Sequence, residues 1–567
     1  MISRSLVCLL SLVLCAGCAT SSPPSANAAH GAGRVIVATD LDAPPAGHPF
    51  GSSAKSRKAV YLFSQGNTAQ TDPQVLEFSD ATLIRGWQKW RREGQKATDY
   101  DFGYPAQARA RRIDFVGGGT ASVVFRDEAG EAFEDWASRD ARGNLVEHPY
   151  IVAGAYRASS ANPAYRQSLI DFGKLQIDGG VSGLFFDELN AGGYNGGQVW
   201  QFNGNEGFDD FFLADFNAYL MKEHPDFTPE QWMSRYAMSA DNLIQPDLPA
   251  GDLARNFNYR RYLQAHHWDH YPDDPANPLA PVWGTLIGNR PRPEAHSFRE
   301  KAFDVYWREI VMSLREYARE RYQREILITS NGLFPYVDFN SFGLYEYNRD
   351  DDGKEVSWIP VKNGQLDGSR SYQTVLEKLH ARNRQMAGDV PLVLFIDWPT
   401  QSMNAYYGLS PKQKEDFWRI YAAEAYACGV FYAFHLKTAM PGEPTARDSG
   451  VLEFLKRYSQ FYADRAALFI GAKPLPARPV TRVAKLTATL SEVAGKTLLH
   501  LVNHNYASTL IPQADFSVSL PLTTAPQRVV LHTPDAPSSR ELAFSYANGQ
   551  LTVQVDRLES YDLIVIE

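Results

Sequence analysis

Two short stretches place carboxylates directly after apolar runs: Gly183-Leu-Phe-Phe-Asp187-Glu188 and Gly343-Leu-Tyr-Glu346-Tyr347-Asn348. Each run has the length and texture of a buried strand, so each acid falls where a strand ends. Two carboxylates facing one another across a cleft can cleave a glycosidic bond. One protonates the leaving oxygen while the other attacks the anomeric carbon or activates water. A single acid at a strand end more often caps a helix or pairs with an arginine. Here the pattern occurs twice, and that sets the pair apart. Successive side chains on a strand alternate in direction, so Asp187 and Glu188 cannot both point into one pocket while the strand lasts. As the acid, Glu346 would have to stay protonated, which water exclusion by Tyr345 and Tyr347 favours.

Other strand ends add polar and aromatic groups. They include Ser330-Asn331-Gly332, Asp397-Trp398, His435-Leu-Lys437, the set Arg85, Trp87 and Lys89, and the set Arg126, Asp127 and Glu128. Trp87, Tyr345, Tyr347 and Trp398 suit stacking on sugar rings, and Arg85, Asn331 and His435 suit holding hydroxyls. No serine elbow and no cysteine or histidine group with zinc spacing accompanies them, so neither a metal nor another cofactor is implied. His266 and His270 share a helix face without an HExxH pattern and read as a solvated helix end or part of a cleft. Asp350-Asp-Asp-Gly353 lacks the alternate spacing of a calcium loop, and Gly117-Gly-Gly119 reads as a turn.

The elements that must position these groups form a strand–helix series. Candidate strands fall at 83–88, 122–126, 151–156, 183–187, 326–330, 342–346, 392–397 and 430–435, with helices predicted over 163–177, 298–322 and 412–428. Eight strands joined by helices is the count of a (β/α)8 TIM barrel, an α/β fold whose reactive groups come from the C-terminal strand ends. The stretch of about 190–297 is an insertion after strand four with helical pieces at 209–223 and 228–236. Pro474, Pro476 and Pro479 mark a junction, after which short alternating segments such as LTATL, LLHLV and LTVQV predict a C-terminal antiparallel β-sandwich. Asn548-Gly549 lies between two of them as a tight-hairpin signal. The predicted organisation is 1–18 leader, 19–33 tether, 34–473 catalytic barrel and 474–567 sandwich.

At these residues a family resemblance appears. The segment from Asn162-Pro-Ala-Tyr-Arg through Gly179-Gly-Val-Ser-Gly-Leu-Phe-Phe-Asp-Glu resembles the approach to the fourth strand in barrel glycoside hydrolases. It looks most like family-66 enzymes (dextranases and cycloisomaltooligosaccharide glucanotransferases) and, more loosely, family-114 endo-α-galactosaminidases. In the family-66 pattern the Asp ending strand four is the nucleophile, and Asp187 matches that place. The acid/base Glu of the pattern follows an Asn turn and a "V-D-F…Y-x-E" strand. Ser330-Asn331-Gly332, Val337-Asp338-Phe339 and Tyr345-Glu346 stand in those positions. Phe186 and Glu188 depart from the family's Trp or His before the Asp and Gly soon after, and the insertion has no counterpart. The resemblance implies catalysis by Asp187 and Glu346. Glu188, Arg85, Trp87, Asn331, Tyr345, Asp397, Trp398 and His435 are the substrate-binding candidates. The implied reaction is retaining hydrolysis of a polysaccharide or oligosaccharide. An inverting enzyme of galactosaminidase type and an inactive glycan-binding surface protein are the alternatives.

Composition bounds the rest. The 567 residues are 44% hydrophobic and 21% charged, which suits a packed chain of more than one domain. With 56 Lys and Arg against 65 Asp and Glu, the net charge of −9 argues against a nucleic-acid partner and against a polybasic membrane surface. Residues 1–18, MISRSLVCLLSLVLCAGC, read as a lipoprotein signal peptide, with one Arg, an apolar run too short to span a membrane, and small residues before Cys18. Cys15 stands where lipoproteins usually carry Leu, and ordinary secretion is the alternative. Cys8 and Cys15 would leave with the leader and Cys18 would be lipidated, so Cys428 has no disulfide partner. The expectation is an exported protein, periplasmic or on the surface, touching a bacterial membrane only through its lipid anchor.

Overall fold

The computed structural model describes residues 58–64, 72–86, 102–148, 154–187, 206–239, 256–284, 297–332, 337–344, 348–349, 355–356, 359–396, 405–437 and 444–567. The leader, the tether and Cys18 lie outside the described residues.

Eight parallel strands close into a barrel: β1 Val60–Ser64, β2 Ala81–Ile84, β3 Asp114–Thr120, β4 Gly183–Asp187, β5 Leu327–Asn331, β6 Phe339–Leu344, β7 Leu392–Ile396 and β8 Phe431–Lys437. Each pairs with its sequence neighbours, and β1 closes on β8 with Phe63 opposite His435. Strands such as VYLFS and LVLFI are buried throughout. Continuous apolar runs are what a parallel sheet covered on both faces requires.

The count of eight holds, but two of its members differ from expectation. β1 and β3 were not among the candidate strands. The candidates at 122–126 and 151–156 instead supply Val123–Phe125 and Ala155–Arg157, a two-stranded antiparallel sheet outside the barrel. Two omissions and two additions cancel, so Gly183–Asp187 is still the fourth strand, while the strand before Arg85 is the second rather than the first. Arg126, Asp127 and Glu128 accordingly leave the barrel mouth. They open a short helix, Arg126–Ala129, where the Arg126 guanidinium lies 4.1 Å from the Phe133 ring centre.

Gly117-Gly-Gly119 belongs to β3, not to a turn. Helix α1, Pro163–Asp178, explains the glycines: a Cβ on Gly117 would run into the Gln176 side chain. Gln176 accepts from the Gly118 N–H at 2.8 Å and donates to the Gly118 carbonyl at 3.1 Å, a helix side chain joined to the strand's own backbone groups. A Cβ on Gly118 would collide with the Phe185 backbone of β4. Glycine serves here for close approach. α1 itself starts where the sequence predicts: Asn162 accepts from the Ala164 and Tyr165 N–H groups, with Pro163 at the first position.

The described parts of the insertion carry helices α2 Asp210–Glu223, α3 Pro229–Tyr236 and α4 Tyr259–Ala265. Asp209 caps α2, and Thr228 with Gln231 forms a capping box on α3. Phe208, Phe212, Phe216, Tyr259 and Trp283 bury one another in a separate aromatic core. Helix α5, Phe298–Tyr322, bridges the two cores, giving Phe298 and Tyr306 to the insertion and Trp307, Ile310 and Leu314 to the barrel.

Beyond residue 474 the chain forms β9 Leu486–Val493, β10 Lys496–Asn503, β11 Gln513–Pro521, β12 Val529–His532, β13 Phe544–Ala547, β14 Gln550–Leu558 and β15 Tyr561–Ile566. One sheet runs β9-β10-β15-β12 with short flanking strands, the other β11-β14-β13, all antiparallel. Leu499, Leu501 and Ile564 of the first meet Val518 and Val553 of the second in the core of the predicted sandwich. Asn548 and Gly549, with φ of 54° and 74°, make the hairpin turn between β13 and β14. The sandwich meets the barrel domain through apolar residues, Tyr561 against Phe461 and Tyr462 among them, and through buried polar groups. Glu424 lies 3.1 Å from His504 and also accepts from Ser371, Thr487 and the Tyr372 N–H.

Candidate active site

Pleating decides which strand-end groups face the barrel axis. In β4, Leu184 and Phe186 turn outward, Phe186 against Trp307 of α5, so Phe185 and Asp187 turn inward. In β1 and β7, Phe63 and Phe395 turn inward and stack with ring centres 4.9 Å apart. His435 of β8 stacks on Phe63 with ring centres 5.6 Å apart. Among the described residues these form an aromatic layer toward the C-terminal end of the barrel.

Arg85 crosses that layer. It follows β2 directly in a left-handed conformation, φ 55°, and Gly86 after it leaves the strand against Phe115. Its Nη2 donates to Asp187 Oδ1 at 2.6 Å, and the two side chains are 2% and 4% exposed. The guanidinium carbon sits 4.4 Å from the Phe185 ring centre, 5.0 Å from Phe395 and 5.9 Å from Phe63. A delocalised, weakly hydrated cation tolerates such a cage of ring faces better than an ammonium does. Asp187 is held on the other side too, because its carbonyl accepts from the Ala121 N–H at 2.7 Å beyond the end of β3.

His435 is buried, and its Nε2 meets the Tyr407 hydroxyl at 3.2 Å. Burial drops its pKa to about 3, so the ring is neutral. Asn331 ends β5 at an inward, half-buried position. Lys437 ends β8 beside Ser64 of β1. A small hollow there is lined by Ser64, Asp72, Gly86, Phe115 and Lys437. Asp72 accepts from Ser64 at 2.7 Å and from the Gln74 N–H at 3.0 Å; it is a helix cap, not a spare acid.

The structure thus brings Arg85, Asp187 and His435 into one layer with Asn331 at the same end. Trp87, Glu188, Tyr345, Glu346, Asp397 and Trp398 lie outside the described residues. Phe63, Phe395 and Tyr407 were not picked out from the sequence. The apolar run at 59–63 was the signal that pointed to Phe63. Among the described residues no group of three or more His, Cys, Asp or Glu is placed to hold a metal. His266 stacks on Trp268, and Arg142 contacts Asp269 and His270.

The architecture defines the class by fold: a (β/α)8 TIM barrel followed by a C-terminal antiparallel β-sandwich. A cycloisomaltooligosaccharide glucanotransferase from Paenibacillus sp. has a similar structure, with TM-score 0.52 and 9% identity over 91% of this chain and 86% of that chain. A maltogenic α-amylase, AmyB, from Thermotoga neapolitana matches with TM-score 0.45 and 11% identity, over 91% of this chain and 99% of that chain. An α-L-fucosidase isoenzyme 2 from Paenibacillus thiaminolyticus matches with TM-score 0.42 and 9% identity, over 90% and 99%. The first likeness is one of fold, and the other two are too distant to argue from. No family model and no curated protein sequence matches this chain.

Proposed function

We propose that the chain is an exported glycoside hydrolase that cleaves a polysaccharide or oligosaccharide at the C-terminal mouth of the barrel. One observation carries the reading: the last, inward-facing residue of β4 is a carboxylate held by an arginine within the aromatic layer. That is the place the family-66 pattern reserves for its nucleophile. A nucleophile has to be aimed, and a guanidinium 2.6 Å away fixes the orientation of the carboxylate.

In the retaining form, Asp187 attacks the anomeric carbon while Glu346 protonates the departing oxygen. A glycosyl ester to Asp187 results, and the aglycone leaves with the proton. Glu346 then takes a proton from water as the water attacks the same carbon and frees Asp187. Trp87, Tyr345 and Trp398 would stack on rings, with Glu188, Asn331, Asp397 and His435 as further binding groups. The inverting alternative uses the same two acids around a water.

One observation favours a second reading, a barrel that binds glycans without turnover: Asp187 is almost wholly buried and already engaged by Arg85. Incubation with α-glucans and amino-sugar polymers, followed by product analysis, separates the two. Wild type should release products, while Asp187→Asn and Glu346→Gln should lose roughly a thousandfold or more. The initial anomer, read by NMR, distinguishes retention from inversion. Binding with no products from wild type would leave only the second reading. Export and lipidation at Cys18 rest on residues 1–18, and Cys18→Ala should abolish fatty-acid labelling and release the protein from membranes.

A further inference from the structure

His435 and Tyr407 form a polar pair beside the aromatic layer, and they differ in their access to the barrel mouth. His435 is 3% exposed, whereas Tyr407 is half-buried. The imidazole stacks on Phe63, and the Arg85 guanidinium that holds Asp187 lies 5.9 Å from the centre of that same ring. One phenyl ring thus borders both the imidazole and the cation that orients Asp187.

Tyr407 belongs to the connection between β7, which ends at Ile396, and the helix Pro411–Phe417, which leads back toward β8. In a (β/α)8 barrel such a connection lies on the face that holds the reactive groups. The place of Tyr407 is fixed twice over. Its neighbour Tyr406 is buried, accepts from Trp418 Nε1 at 2.9 Å, and meets the rings of Tyr407 and His435 edge-on. Trp418 opens the turn Trp418–Ala422, wound as a π-helix, a form that recurs at functional sites. The Tyr407 hydroxyl in turn meets His435 Nε2 at 3.2 Å.

A side chain held in this way gives up little freedom when it binds a ligand. On His435, Nδ1 is buried and Nε2 is turned to Tyr407, so neither nitrogen is open to a sugar. The ring is neutral, and according to its tautomer it accepts from the phenol or donates to it. Either way it sets the direction of the phenol oxygen. We propose that Tyr407 is a substrate-contacting residue whose hydroxyl bonds a sugar hydroxyl at the barrel mouth, and that His435 is a positioning residue acting through it. The inference rests on the glycosidase reading and changes the part of His435 in it from binding to positioning.

The test uses the full-length protein, with calorimetric titration of isomaltoheptaose, maltoheptaose and chitohexaose and product release from the same sugars. Wild type should bind at least one of the three. Tyr407→Phe should bind that sugar about five- to tenfold more weakly, the effect of one lost neutral hydrogen bond. His435→Phe keeps a stacking ring without the nitrogen and should weaken binding by a similar factor. His435→Gln, which restores a polar nitrogen within reach of the phenol, should recover most of the loss. The double variant Tyr407→Phe/His435→Phe should bind no more weakly than Tyr407→Phe, because His435 acts only through the hydroxyl. Circular dichroism and thermal melts check that each variant is folded. Binding of none of the three sugars, unchanged affinity in Tyr407→Phe, or losses that multiply in the double variant would each overturn the proposal. Failure of the glycosidase reading looks different: a sugar binds in a Tyr407-dependent way, yet wild type releases no products from it.

Discussion

Arg85 Nη2 lies 2.6 Å from Asp187 Oδ1 across 102 residues of sequence, joining the end of β2 to the end of β4 inside a cage of phenylalanines. A buried charge that loses its partner costs far more than the pair itself contributes.

Arg85→Met should therefore destabilise the protein by roughly 3–5 kcal/mol, measured by denaturant unfolding. The double variant Arg85→Met/Asp187→Asn should regain a good part of that loss. Equal stability of Arg85→Met and wild type would mean that the pair is not buried as described.

Gly117→Ala sets a methyl group against Gln176 and should cost ~1–3 kcal/mol. Combined with Gln176→Ala, the loss should be less than the sum of the two single losses, because the clash disappears with the amide. Thermal melts of the four proteins give the coupling directly. Strict additivity would contradict the close approach of α1 to β3.

Asp562 in β15 is buried, and burial raises its pKa to about 8 from the ordinary 3.8. Between those values the folded chain keeps a proton that the unfolded chain releases. Its share of stability is full below 3.8 and is lost as pH rises through 8. Asp562→Asn should melt higher than wild type at about pH 8.5, by ~1 kcal/mol or more, with the gap closing near pH 4. A constant gap at both values would discount the carboxyl.

Glu424 behaves in the opposite sense. Burial alone would raise its pKa, but the hydrogen bond and charge of His504, with Ser371 and the Tyr372 N–H, bring it below the ordinary 4.5. The stability it contributes is complete above 4.5 and disappears as pH falls through the lowered folded-state value. Glu424→Gln should loosen the seam between barrel and sandwich at neutral pH, seen as faster amide exchange along β9 and β10. It should also flatten the acid limb of the stability curve. Unchanged exchange would show that the apolar contacts hold the seam alone.

Much of this was legible from local chemistry. Asn162-Pro163, Asp209 and Thr228 announce helix starts because a side chain caps N–H groups within three residues, needing nothing distant. Asn548-Gly549 announces its turn for the same reason. β3 was not legible, because three glycines in a row look like a turn until Gln176 and the Phe185 backbone press against them. Val123–Phe125 has a strand's composition, but nothing local says which sheet it joins.

The sequence by itself determined six of the eight barrel strands, the sandwich after the proline junction, and an acid at the end of the fourth strand. All of these follow from the periodicity and end chemistry of contiguous residues. Only the tertiary structure decided that Arg85 meets Asp187 and that Phe63 stacks on Phe395. Such pairings depend on how the ring of strands closes and in what register, a property of segments a hundred or more residues apart.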